Sequence, residues 1–184
     1  MGRHPLRRFG RGSRTSAALT QVLLQKRHGI HPSIESLPMN ADAESAAADA
    51  VLLIGDRAMR ACLPGFRYAY DLGDEWTQWT GLPFVYAVWA VRPGVDLDGV
   101  DIALREAKDR GLAAVGEIAT REAAVLGLGA GYCRRYLTNI IHFDLGPREL
   151  AGLQRFYELA CNCGLAPWGV SFERYDARHL VESR

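Results

Sequence analysis

Ser13-Arg14-Thr15-Ser16 places three hydroxyl side chains and one guanidinium in four consecutive residues. Leu19, Val22 and Leu23 follow at helical spacing, Lys26 and Arg27 come at the end of the run, and Gly29 lies just beyond. The hydroxyl cluster therefore opens a helix. One hydroxyl is enough to cap the first amides, and three with an arginine exceed that need. Unpaired N–H groups at a helix start also bind carboxylate or phosphate, so capping and anion binding both stand open here. A second polar point follows the apolar run Val51-Leu52-Leu53-Ile54, which ends in Gly55-Asp56. In open α/β sheets ligands gather at such strand ends. Asp56 either faces a cleft or caps the short helix begun by Arg57-Ala58-Met59.

The remaining reactive residues suggest less. His142 lies in the strand-like run Ile140-Ile141-His142-Phe143 and reads as structural, while His4, His28, His31 and His179 sit in loop or charged contexts. Cys62, Cys133, Cys161 and Cys163 form no C-x-x-C pair, and Cys161-Asn162-Cys163 is too tight for usual zinc spacing. They are expected to be reduced and packed, as suits a cytoplasmic protein. The cluster Gly127-Leu128-Gly129-Ala130-Gly131 has no strand before it, so it is not a dinucleotide loop.

Composition narrows the class. The chain has 184 residues, mixed charge and a formal net charge of +1, which gives no general attraction to nucleic acid or anionic membrane. No apolar run is long enough to span a bilayer. Residues 1–31 contain no acid but include Arg3, Arg7, Arg8, Arg11, Arg14, Lys26 and Arg27. That bias resembles a transit peptide or nucleic-acid arm, although it lacks the apolar core of a secretory signal.

These residues must be positioned by an α/β arrangement in which short buried strands alternate with helices. Strands are expected near residues 30–38, 51–54, 84–90 and 140–143. The uncharged run Phe84-Val85-Tyr86-Ala87-Val88-Trp89-Ala90 reads as a strand buried on both faces. Helices are expected at 17–27, at Ala-rich 41–48, around Trp76 and Trp79, at 97–110, at 113–126, and from Pro147 to Gly164. For the Trp76 helix, Asp71, Asp74 and Glu75 suit the start, and Gly81 with Pro83 suits the stop.

Asp71-Leu72-Gly73, Trp76 and Trp79-Thr80-Gly81-Leu82-Pro83-Phe84-Val85-Tyr86-Ala87 resemble the menaquinone-biosynthesis family of the futalosine route. Ser13-Arg14-Thr15-Ser16, Leu53-Ile54-Gly55-Asp56-Arg57-Ala58 and Ile141-His142-Phe143-Asp144-Leu145-Gly146-Pro147 agree with it in colinear order. The closer similarity is to the chorismate dehydratase branch. The sister branch, which forms dihydroxynaphthoate, usually continues its Leu-Pro with Pro and Gly, and carries a catalytic histidine where Gly55 stands here.

The resemblance implies a two-lobed fold like the type II periplasmic binding proteins, N-terminally truncated. Residues 1–82 would form most of the second lobe and residues 83–184 the returning part of the first. Residues 1–11 would replace the strand that precedes the Ser-Arg-Thr-Ser motif. The implied reaction converts chorismate to 3-enolpyruvoylbenzoate and water, in a cytoplasmic enzyme. Aromatisation drives it, so no metal or cofactor is expected. The implied partner is the small-molecule substrate, with no nucleic acid or membrane; oligomeric state is open. Substrate binding is assigned to Ser13, Arg14, Thr15, Ser16, Gly55 and Asp56. No side chain is assigned as the base, which is compatible with proton transfer to the substrate's own enolpyruvyl carboxylate. The alternatives are a non-catalytic small-carboxylate module or inactive fragment of the same fold, and the sister enzyme.

Overall fold

The structure, a computed structural model, describes residues 13–38, 41–61, 63–172 and 175. Residues 1–11, Cys62, His4, His179 and most of the tail after Phe172, on which several expectations fall, lie outside the described residues. The helices are α1 (Arg14–Val22), α2 (Gly55–Met59), α3 (Leu72–Thr80), α4 (Val100–Ala113), α5 (Val115–Leu126), α6 (Ala130–Arg135) and α7 (Pro147–Asn162). Two π-helical turns, Leu23–Arg27 and Tyr136–Ile140, extend α1 and α6. The chain divides into two compact units: Met1–Val88 with Leu145–Phe172, and Trp89–Asp144 with Glu173–Arg184.

The core of the first unit is built on Trp76. Leu19, Val22 and Leu23 from α1 and its π turn meet Trp76 from α3 and Leu159 and Ala160 from α7. Phe84 and Phe156 stand edge-on to Trp76, with ring centroids 5.5 and 6.0 Å away. Such aromatic pairs add to the free energy of burial itself.

The ends of α3 follow from its sequence. The Asp71 carboxylate accepts from the amides of Gly73 and Asp74 at 2.8 and 3.2 Å. Gly81 closes the helix at φ 71°, a left-handed conformation that costs glycine little. In α7, Pro147 takes the first position, and Glu149 folds back to accept from the Gly146 amide at 2.9 Å.

In the second unit, Ala119, Ala123 and Cys133 join α5 to α6 in a small core flanked by Leu128 and Tyr132. Lys108 of α4 donates to Asp144 at 2.6 Å. That hydrogen bond raises the Lys108 pKa and holds the Asp144 carboxyl below its ordinary range.

The expected strands do not form among the described residues. Residues 51–54 and 84–90 form no strand among the described residues, and the second run is half-buried at Phe84 and Val85, then exposed from Tyr86 onward. Their apolar, β-branched composition suits a covered sheet, but a strand exists only with a neighbour to pair with. Ile140 ends the π turn and Ile141 after it is extended, but no strand forms through Phe143. The Ala-rich helix expected at 41–48 is replaced by turns. The Asp42 carboxylate accepts from the Glu44 amide at 3.2 Å, and Ser45 Oγ donates to the Asp42 carbonyl at 2.9 Å. Such local side-chain bonds compete with helix formation.

Cys133, Cys161 and Cys163 are free thiols, the first two buried. Desolvation pushes the Cys163 thiol pKa up, opposed by the nearby Lys26 charge. Among the described residues, no helix is long and apolar enough to cross a membrane.

Candidate functional site

The start of α1 is organised by Ser13. Its backbone is extended, and its Oγ accepts from the Ser16 amide at 3.1 Å. The Ser13 carbonyl accepts from the Ala17 amide at 3.1 Å. The amides of Arg14 and Thr15 thus have no acceptor among the described residues. They lie at the positive end of a helix whose first turn carries no acid to neutralise it.

The four side chains have different environments. Arg14 is exposed, Ser13 and Thr15 are half-buried, and Ser16 is only 6% exposed. Ser13 acts as the cap, so capping and amide availability coexist: one hydroxyl satisfies one amide and two remain.

The far end of this helical stretch is tied down. Arg27 Nη1 donates to the Glu75 carbonyl at 2.8 Å and to Glu75 Oε2 at 2.6 Å. Lys26 Nζ donates to the Asn162 carbonyl at 3.2 Å. The π turn directs these two basic side chains to α3 and α7 respectively. With Leu19, Val22 and Leu23 in the core, the amide-bearing end of α1 is held on a rigid element. Lys26 and Arg27 are legible in the sequence as basic residues of a last turn, but their partners, far along the chain, are not.

Gly55 and Asp56 open α2. Gly55 has φ 58°, and an added β-carbon would meet nothing within 4 Å. The backbone conformation, rather than lack of space, therefore favours glycine. Asp56 is exposed, and its carboxylate makes no hydrogen bond or ion pair among the described residues. The helix-cap alternative for Asp56 fails, because the residue at the N-cap is Ile54 and Asp56 lies inside the first turn. No hydrogen bond among the described residues joins the Ser13–Ser16 segment to Gly55 or Asp56.

His142 is exposed in the irregular stretch before α7, and its charge helps lower the Asp144 pKa. His28 and His31 are also exposed. Among the described residues, none of the three has a hydrogen-bonded partner that would orient it as a base.

A family model described as menaquinone biosynthesis matches residues 9–162. A chorismate dehydratase of Thermus thermophilus is 37% identical over 163 residues, covering 79% of this chain and 59% of the relative. The chain thus spans less than two thirds of that relative's length.

Proposed function

The chain belongs to the menaquinone-biosynthesis family, and from that premise we propose that it is a hydro-lyase acting on chorismate. The product is 3-enolpyruvoylbenzoate, and the reaction is the entry step of the futalosine route. The observation that carries this reading is the 37% identity to a protein named chorismate dehydratase. The chemistry available at the start of α1 agrees with it.

Chorismate is a dicarboxylate. The free amides of Arg14 and Thr15, the Thr15 hydroxyl and the Arg14 guanidinium supply donors for one carboxylate, and Ser13 holds the turn in shape. Charge-assisted bonds of this type are the stronger ones. Gly55 and Asp56 belong to the same substrate shell in this reading. The exposed Asp56 carboxylate faces the substrate's hydroxyl side rather than its acids, since like charges repel.

The chemical step removes a ring proton while hydroxide leaves the neighbouring carbon. The C–H electron pair becomes the last double bond of the aromatic ring, the C–O bond breaks, and proton and hydroxide appear as water. The substrate's enolpyruvyl carboxylate takes the proton and passes it to the departing hydroxide, which leaves as water. The protein's part is to hold that geometry. The fold in this reading is two-lobed, with residues 1–82 and 83–184 contributing to different lobes, and the enzyme works in the cytoplasm.

Incubation with chorismate tests the proposal: an aromatic product formed with loss of one water supports it. Binding without product would favour the non-catalytic carboxylate module, a reading supported by the absence of an oriented base among the described residues.

A further inference from the structure

We infer that residues 167–172 are a strap that swings off α7 as one unit, with the Tyr157 hydroxyl as its latch and the Cys161 thiol as the group it covers.

Tyr157 and Cys161 are four residues apart in α7 and so share one face. The Pro167 carbonyl accepts from both of them, from Tyr157 Oη at 2.7 Å and from Cys161 Sγ at 3.3 Å. The Tyr157 oxygen in turn accepts from the Val170 amide at 2.9 Å. Among the described residues, these three are the only hydrogen bonds that residues 167–172 make. The rings of Trp168 and Phe172 stand edge-on to Tyr157, with centroids 6.3 and 5.3 Å away. One side chain thus gathers most of what holds the segment.

The two sides of residue 167 differ sharply. Up to Ala166 the chain is anchored: the Leu165 amide donates to the Ala160 carbonyl at 2.9 Å, and Leu165 and Ala166 pack against the Trp76 core. From Pro167 to Phe172 every residue is exposed, Trp168 by 62%. Pro167 has no N–H to bond, and Gly169 sits at φ 95°, a conformation that a glycine leaves with a large gain of freedom. Segments with few buried contacts open locally, while the helices beneath them stay folded.

Beneath the strap, Cys161 is only 6% exposed. Opening lifts the Pro167 carbonyl off its thiol and admits an electrophile. The reactivity of Cys161 therefore follows the strap rather than global unfolding.

Maleimide alkylation of Cys161, located by mass spectrometry, and hydrogen exchange of the Val170 amide test this in the wild-type chain and in Tyr157→Phe. Phenylalanine keeps the ring contacts and removes both hydroxyl bonds. Val170 then loses its acceptor directly, whereas Cys161 keeps its own bond to Pro167, so a faster Cys161 reads the strap itself. Both rates should rise about tenfold, the scale of one or two hydrogen bonds, while the α7 amides of Leu159 and Ala160 exchange as before. Gly169→Ala leaves the latch intact and has room for its methyl group, with nothing within 4 Å, but φ 95° strains it. It should speed the same two reactions, and it decides alone if Tyr157→Phe does not fold.

Unchanged rates would show that the latch holds nothing. A faster Val170 without a faster Cys161 would show that the strap does not cover the thiol. Leu159 and Ala160 accelerating in step with both would show global unfolding in place of a local opening. Each of these results would overturn the inference.

Discussion

Gly152 of α7 lies directly against the carbonyl oxygen of Pro83, so close that a β-carbon could not be accommodated there without backbone movement. The neighbouring Pro83 carbonyl carbon and Leu82 Cβ would lie 3.3 and 3.7 Å from it. This contact seats α7 on the turn that ends α3 and fixes where residues 84–88 leave the Trp76 core. Gly152→Ala should cost about 1–3 kcal/mol by overpacking, read as a lower denaturation midpoint. An unchanged midpoint would show that the turn yields freely.

Trp76 is fully buried, and its indole N–H has no acceptor among the described residues. Replacement by alanine should cost about 3–5 kcal/mol. Replacement by phenylalanine should cost less than the lost volume suggests, because it also removes an unsatisfied donor worth about 1–3 kcal/mol. Equal losses for the two variants in urea denaturation would contradict this ordering.

Arg27 bonds both the carbonyl and the carboxylate of Glu75, with the two side chains 26% and 21% exposed. Arg27→Met should destabilise by about 1 kcal/mol after allowance for solvent screening. Arg27→Lys should restore little, because an ammonium does not reproduce a planar fork. Full recovery of the thermal midpoint by lysine would refute the geometric role.

The Asp144 pKa is lowered from its ordinary 3.8, first by the Lys108 hydrogen bond and then by the Lys108 charge. The unfolded chain therefore binds this proton more readily than the folded one. The pair's contribution to stability is present above pH 3.8 and is lost as pH falls through the lower folded value. The Lys108 pKa is raised from 10.5, so on the alkaline side the contribution persists through that pH and is lost only as pH climbs past the higher folded value. Lys108→Met should move the Asp144 carboxyl titration, followed by NMR, upward toward 3.8. No movement would show that the ion pair does not form in solution.

What the sequence makes legible divides by the range of the interactions. The α3 and α7 boundaries are readable because Asp71, Gly81, Pro147 and Gly164 act locally, through caps and backbone preference. The helix α6 is not, because Gly129 and Gly131 flank its start, and its stability comes from Cys133 packing on Ala119 and Ala123. The apolar runs at 51–54 and 84–90 read as strands in the sequence yet form none among the described residues, since a ladder depends on a neighbour the run itself does not specify. At the candidate site the cap is readable from Ser13. That Arg14 and Thr15 keep free amides follows from the same cap, whereas the burial of Ser16 is set by tertiary packing that the run itself does not specify.

The most direct test is the affinity for chorismate of the wild-type chain and of Thr15→Pro, measured by calorimetric titration. Proline is tolerated in a first helical turn, so the substitution deletes the Thr15 amide and hydroxyl while α1 stays intact by circular dichroism. Loss of hydrogen bonds to a charged group predicts binding weakened by roughly tenfold to a hundredfold. Wild-type affinity in the variant, with α1 still folded, would contradict a carboxylate held at the start of α1.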